Sequence, residues 1–351
     1  MIKFDSPLCF SHHRSGWDYC KTAFNAIHTD NNRMLGFNYL DGVIGKEEQI
    51  PCNCFWIGFL HNAIEHPKYY FNLYDFNNSK NGANVELSKL KNYPLFVNSL
   101  SSCLGIFTLC NYTKDYLKKH FENINIDVLY HPTETPSHKF TIQFFSKNKN
   151  KKVLTIGHWM RNFQTTYDLN SPYKKYIIDV AGVVDKIPLV KNDSVKIIRK
   201  RLGNEDYDEQ LSKNIVFLDL YDVAACNTII ECIVRNTPVI TRRLPANVEY
   251  LGEDYPLFFD NLDQANRILA DEELIIEGHK YLCKMNKDKF DLSYFQKSFF
   301  ENSLYFFILS PPFISSTSLF ISSSIIIGSS LFSFASAVKL VQCSDNISVA
   351  C

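Results

Sequence analysis

Short apolar runs alternate with polar, turn-rich stretches along most of the chain. Phe55-Trp-Ile-Gly-Phe-Leu60 is uninterrupted and ends at His61, which reads as a buried strand. Leu104–Cys110 reads the same way. Asn111 then offers a helix cap, a polar helix runs through His120, and Ile126–Tyr130 forms a third strand closed by His131-Pro132. Strand, helix and strand in succession predict a parallel α/β sheet. Between 133 and 152 the chain turns rich in Pro, Thr, Ser, Lys and Asn and reads as a linker, in which Phe140–Phe145 could add a short strand. A second α/β unit follows. Val153–Ile156 enters a turn at Gly157, with strands at Ile215–Leu220, Pro238–Thr241 and Tyr255–Phe259. Helices are expected at Asn227–Val234, Asp260–Leu269 and Asp271–Lys284, each of the last two with an aspartate at its start to favour the helix dipole.

These elements predict a first lobe over 1–132, a linker over 133–152, a second lobe over 153–301 and a tail over 302–351. Residues 302–338 carry no charged side chain and are rich in Ser, Phe and Ile. Phe313–Val338 is long enough to span a bilayer but heavily interrupted by serine, so a disordered extension and a membrane anchor both remain open. Two doubly wound lobes place ligands at the carboxyl ends of strands, in the cleft between lobes.

The 351 residues suffice for two such domains, and 46% apolar with 21% charged residues is a globular balance. Lys plus Arg equals Asp plus Glu, at 37 each, so the broad basic footprint of a nucleic-acid binder is absent. Eleven scattered cysteines, only Cys52 and Cys54 close together, read as reduced thiols of a cytoplasmic protein. The start of the chain does not read as a signal peptide. The bias toward Asn, Lys, Ile, Phe and Tyr is that of an AT-rich genome, such as a large DNA virus or an AT-rich microbe. G-x-G-x-x-G, the P-loop pattern and G-x-S-x-G are all missing, which removes support for dinucleotide oxidoreductases, P-loop enzymes and α/β-hydrolases. Asp206-Tyr-Asp208 has metal-ligand spacing but sits in an expected polar helix.

The densest chemistry lies between Asn214 and Asp260. A strand leads to Asn227, which is expected to cap a short helix whose free N–H groups suit a phosphate. Glu231 lies one turn on, where a carboxylate can accept both hydroxyls of a ribose. Pro238 opens the next strand, where a missing N–H is tolerated. This segment resembles the donor-binding core of glycosyltransferases with the two-lobed GT-B fold, particularly glycosyltransferase family 4 and its relatives, through Asn227, Thr228, Glu231, Thr237 and Pro238. The family's second glutamate, eight positions earlier, is Val223 here, with Asp222 beside it.

The resemblance implies a GT-B protein of two Rossmann-like lobes that moves a sugar from a UDP- or GDP-sugar to a hydroxyl of a glycan, lipid or protein. It implies a retaining, metal-independent reaction with no cofactor beyond the donor. It further implies a donor site of Gly16, Gly157, Arg161, Asn227, Thr228 and Glu231, with His61 beside the transferred sugar and Arg161 on the leaving diphosphate. Arg161, four residues after Gly157, otherwise reads as a surface arginine. Arg199-Lys200-Arg201 reads as a solvated basic face or a second phosphate contact. Ser11-His-His-Arg14-Ser-Gly16-Trp17 reads as a polar, basic loop whose Gly16 comes near the donor phosphates or the acceptor, with metal binding by His12 and His13 the weaker alternative. His131 marks the turn into the linker. An epimerase acting on the same donor, and a scaffold without turnover, are the rival functions.

Overall fold

The computed structural model describes residues 2–4, 14–24, 34–46, 50, 54–67 and 85–309. The His12–His13 pair, Cys52 and the tail beyond residue 309 lie outside the described residues. The first sheet contains β1 (Lys3–Phe4), β2 (Met34–Phe37), β3 (Phe55–Phe59), β4 (Cys103–Thr108) and β5 (Ile126–Val128), neighbouring one another in that order with every pair parallel. Such a sheet is covered on both faces, which is why β3 and β4 read as unbroken apolar runs. Along β3, Ile57 and Phe59 join one core cluster while Trp56 joins another on the opposite face.

The second sheet runs β11 (Phe258–Phe259), β10 (Val239–Arg242), β9 (Ile215–Leu218), β6 (Lys152–Ile156), β7 (Lys174–Ile178) and β8 (Val195–Ile198), again all parallel. Chain order therefore reverses between β6 and β9. That reversal opens a crevice outside their carboxyl ends, where doubly wound sheets bind ligands. The loop after β6 carries Gly157 to Arg161, and the loop after β9 leads into the Asn227–Arg235 helix.

Three expectations change. Phe140–Phe145 adds no strand: Ile142–Lys147 is a helix, capped by the Thr141 hydroxyl, which accepts from the Phe144 N–H. Phe140 and Phe145 pack into the second lobe's core, so the expected linker is partly core. Leu292–Leu309 is a helix whose Phe295 and Phe299 pack on the first sheet with Phe24, Phe59 and Phe107. The chain thus returns to the first lobe near residue 292. Among the described residues no helix is long and apolar enough to cross a membrane.

The lobes meet through carboxylates of the second lobe that accept from donors of the first. Asp222 receives the N–H groups of Ile64 and Glu65, at 3.0 and 3.3 Å. Glu249 receives Asn111 N–H and the Tyr130 hydroxyl, at 2.8 and 2.6 Å. Asp208, fully buried, receives Arg14 at 2.8 Å, Arg235 at 2.7 Å and the Ser137 hydroxyl at 3.0 Å. Burial by itself would raise the Asp208 carboxyl, but the Arg235 charge and the bonds from Arg14, Arg235 and Ser137 outweigh it and hold its pKa below the ordinary 3.8.

A depressed folded-state pKa contributes stability above the unfolded value and loses it as pH falls through the lowered one. This network should therefore be intact at neutral pH and fail below about pH 4. Arg235→Leu leaves the buried Asp208 carboxylate with Arg14 and Ser137 alone and should destabilise the fold by about 1.5–3 kcal/mol, the contribution of a hydrogen bond to a charged group, in urea unfolding at pH 7. The penalty should shrink as the pH is lowered through that range, because a protonated Asp208 no longer needs the cation.

Candidate functional site

The β6/β9 crevice and the carboxyl edge of the first sheet face each other. Glu231 projects from the Asn227–Arg235 helix into this junction and is 8% exposed, so it is not a solvated helix residue. The Ser15 hydroxyl donates to Glu231 Oε1 at 2.5 Å across the lobes, and the Tyr207 hydroxyl donates to Oε2 at 2.5 Å. Burial, followed by the Glu231 charge, drives the Tyr207 pKa well above its ordinary value, so Tyr207 stays a donor.

Asn227 does not cap the helix. Cys226, in extended backbone, holds the cap position without a side-chain cap bond, and Asn227 is the first helical residue. Its amide lies instead against Gly16 of the first lobe. Gly16 has φ +72, and a Cβ there would sit 2.5 Å from the Asn227 amide oxygen. Both features call for glycine. Gly16→Ala should lower Tm, at a cost of about 1–3 kcal/mol. Combination with Asn227→Ala should recover only part of the loss, because the clash goes and the backbone strain stays. A thermal-melt double-mutant cycle checks this.

Arg161 is neither at the surface nor paired with an acid. It is 6% exposed, and the loop turns inward at Met160, whose φ is 57. Its Nε donates to Ile156 O at 2.9 Å and Nη1 to Trp159 O at 2.8 Å. Nη2 reaches Cys226 Sγ and Thr228 Oγ1, both at 3.3 Å. Arg161 therefore ties the β6 loop to the start of the Glu231 helix and puts a buried positive charge behind it. Gly157, at φ +80, provides the turn that permits this, its Cβ position lying 3.3 Å from Arg161 Nη2. Arg199 of the basic cluster pairs with Asp179 and Asp185.

On the first lobe, His61 leaves β3 at the cleft. Its backbone N–H donates to Asp41 Oδ2 at 2.8 Å, and its Nδ1 lies 3.4 Å from the same oxygen. Asp41 is fully buried and also receives Asn62 N–H at 3.2 Å. A carboxylate on Nδ1 selects the tautomer that leaves Nε2 as an acceptor, and Nε2 has no hydrogen-bond partner among the described residues. The His61 ring packs edge-on against Trp17, with centroids 4.8 Å apart, and 5.6 Å from His131. His131, which opens the irregular stretch after β5, is thus also buried beside His61.

The sequence reasoning missed Asp41 and Tyr207, took Ser15 and Trp17 only as parts of the Gly16 loop, and gave His131 no part in the site. The rule that found His61, a polar residue just past an apolar strand, also fits His131 after Tyr130, whereas Asp41 sits in the first turn of the short helix Leu40–Gly45 and no such rule reaches it. Among the described residues no group of three or more His, Cys, Asp or Glu side chains could hold a metal ion.

No family model matches the chain, and no curated protein matches it. Solved structures do. HepE from Anabaena, in complex with UDP-glucose, superposes with a TM-score of 0.55 at 11% identity, over 78% of this chain and 79% of its own. Sucrose-phosphate synthase from Thermosynechococcus elongatus gives 0.53 at 15% identity, over 82% and 76%. TarM from S. aureus, in complex with Fondaparinux, alpha-GlcNAc-glycerol and UDP, gives 0.51 at 14% identity. The chain covers 83% of itself in that match and spans 58% of the TarM chain's length. The fold is GT-B: two Rossmann-like lobes with parallel sheets.

Proposed function

We propose that this GT-B chain is a glycosyltransferase that moves a sugar from a UDP- or GDP-sugar to a hydroxyl of a glycan, lipid or protein acceptor in the cytoplasm. One observation carries the reading: a buried carboxylate and a helix start at the strand-order reversal of one lobe face an Asp-oriented histidine on the other.

In this reading the donor's diphosphate lies at the first N–H groups of the Asn227–Arg235 helix, Asn227 and Thr228 among them, where the helix dipole favours an anion. Arg161, behind Thr228, adds positive charge as the diphosphate leaves. Gly157 and Gly16 let backbone come close. Glu231 takes the ribose diol once Ser15 releases it. His61, held by Asp41, orients the transferred sugar. The anomeric carbon loses its bond to the phosphate oxygen and gains one to the acceptor oxygen, and the acceptor proton passes to the departing phosphate. Attack on the leaving-group face retains configuration and needs no metal or other cofactor. Cleft closure keeps water from the donor.

A thermal-shift screen of the full chain against UDP, GDP, CDP, ADP and their sugar conjugates tests the donor site. A ligand that binds only the folded state raises the midpoint, so a shift with UDP or GDP is expected. A folded protein that shifts with none of them would refute the donor site and favour a scaffold without turnover.

A further inference from the structure

The backbone from His61 to His66 follows β3 and belongs to neither helix nor strand. Irregular backbone must pair its N–H groups elsewhere, and here carboxylates take them. Asp41 receives those of His61 and Asn62, at 2.8 and 3.2 Å, and Glu86 receives that of His66 at 3.0 Å. Both acids belong to the first lobe, and they hold the two ends of the loop. The middle is held from the other lobe. Asp222 Oδ2 receives the N–H groups of Ile64 and Glu65, at 3.0 and 3.3 Å. Ile64 is buried, where an N–H without an acceptor destabilises. Trp159 of the second lobe packs edge-on against the His66 ring, with centroids 5.4 Å apart.

The two residues that grip this loop sit in the two loops that frame the β6/β9 crevice. Trp159 follows β6, and its carbonyl accepts from Arg161 Nη1 at 2.8 Å. Asp222 follows β9. Its neighbour Tyr221 donates its N–H to Met160 O at 3.1 Å, and Leu220 bridges to Arg161. The crevice loops are thus tied to each other, and separation of the lobes draws both from the His61 loop at once.

The Asp222 contact is finely balanced. Burial holds its carboxyl above the ordinary pKa in spite of N–H bonds from Val223, Glu65 and Ile64, and the Glu65 charge adds to the rise. The carboxylate loses more by giving up hydration than these bonds return. Such a contact forms when something else draws the lobes together, and it releases when they part.

We infer that Asp222 is a positioning residue that couples closure of the lobes to the placement of His61. Ile64 lies three positions after His61, and the backbone between them is fully held only while the second lobe supplies the acceptor. His61 is then set for the sugar as the crevice loops close on the donor. The inference rests on the role proposed for His61 above.

Asp222→Ala removes the acceptor. Asp208 and Glu249 still join the lobes, so the variant is expected to fold. Two measurements on the full chain read the result. The first is hydrogen exchange resolved to single amides, without ligand. Exchange at Ile64 and Glu65 should quicken about ten-fold or more, as expected for the loss of a bond to a charged group. The rise should reach His61 and Asn62 although Asp41 remains. Unchanged exchange at these amides would overturn the inference. So would a rise confined to Ile64 and Glu65, which would leave His61 placed by Asp41 alone.

The second is a double-mutant cycle with His61→Asn in sugar transfer. Asp222→Ala alone should lower kcat/KM for the donor about ten- to hundred-fold and leave the affinity for UDP or GDP within about two-fold of the wild type. Added to His61→Asn it should cost little more, because both changes act through the same ring. Additive losses would overturn the inference. So would a loss of nucleotide affinity that matches the loss in kcat/KM, the result expected if Asp222 serves only its own loop through the Val223 N–H. Should the wild type transfer sugar from no donor, the role of His61 fails, and the exchange measurement decides by itself whether the second lobe places this loop.

Discussion

Glu231→Gln should weaken the binding of the nucleotide about ten- to hundred-fold while leaving the protein folded. A ribose diol presents two donors and a carboxylate accepts both, but a glutamine has one acceptor to give. Hydrogen bonds to a charged partner contribute about 1.5–3 kcal/mol, which sets that range. The folded chain tolerates glutamine because the Ser15 and Tyr207 hydroxyls on either side can each turn to accept from its amide. Glu231→Ala is a harsher change. It leaves the buried Tyr207 hydroxyl without its acceptor and should lower stability by about 2–4 kcal/mol besides abolishing nucleotide binding.

Ser15→Ala should act in the opposite direction. In the proposed reading Ser15 holds the Glu231 oxygen that a ribose would take, so its removal should tighten nucleotide binding several-fold while lowering the ligand-free Tm. Titration calorimetry and thermal melts on these variants read all of these effects. A Ser15→Ala protein that binds nucleotide more weakly would show that Glu231 is purely an interlobe strut.

The second large effect is expected at His61. His61→Asn keeps a polar side chain at the cleft but loses the imidazole that Asp41 orients. Because His61 positions the sugar and takes no proton in the proposed reading, the change should reduce kcat/KM for the donor on the order of 10²-fold, the cost of a misplaced reacting group. Asp41→Asn acts through His61 and should also lower kcat/KM. Unlike His61→Asn, it should lower Tm as well, because an amide NH₂ would face the backbone N–H groups of His61 or Asn62 that Asp41 now accepts. Equal Tm losses in the two variants, with kcat/KM unaffected, would assign the pair to structure alone.

The sequence was most legible where local physics decides. Apolar runs placed β3, β4, β6 and β9, and the helices expected from Asp260 and Asp271 begin two residues and one residue later, behind caps at Asn261 and Asp271. Thr141 shows the limit: its cap bond turns a phenylalanine-rich stretch, equally apt for a strand, into a helix. The fold was readable because parallel strands buried on both faces leave a continuous apolar signature.

The site was legible only in part. Glu231 stood out, but its partners Ser15 and Tyr207 are 216 and 24 residues away, and no spacing announces such a bond. Asn227 looked like a cap because caps are local, whereas the Gly16 loop of the other lobe claims its amide. Arg161 read as a diphosphate ligand or as a surface arginine, and its burial went unseen because Met160 gives no hint of the left-handed turn there. His131 was in plain view behind its strand, but only the third dimension sets it and Asp41 beside His61.

The most direct test of the central claim is product analysis. The full chain is incubated with UDP- and GDP-sugars, with and without an array of glycan, lipid and peptide acceptors, and nucleotide release and acceptor mass are followed together. The account predicts that one donor is consumed only when its acceptor is present, with one sugar added per nucleotide released, and that His61→Asn slows this turnover. Isomerisation of the donor without any acceptor would make the protein an epimerase, and binding without consumption of any donor would contradict the claim of catalysis.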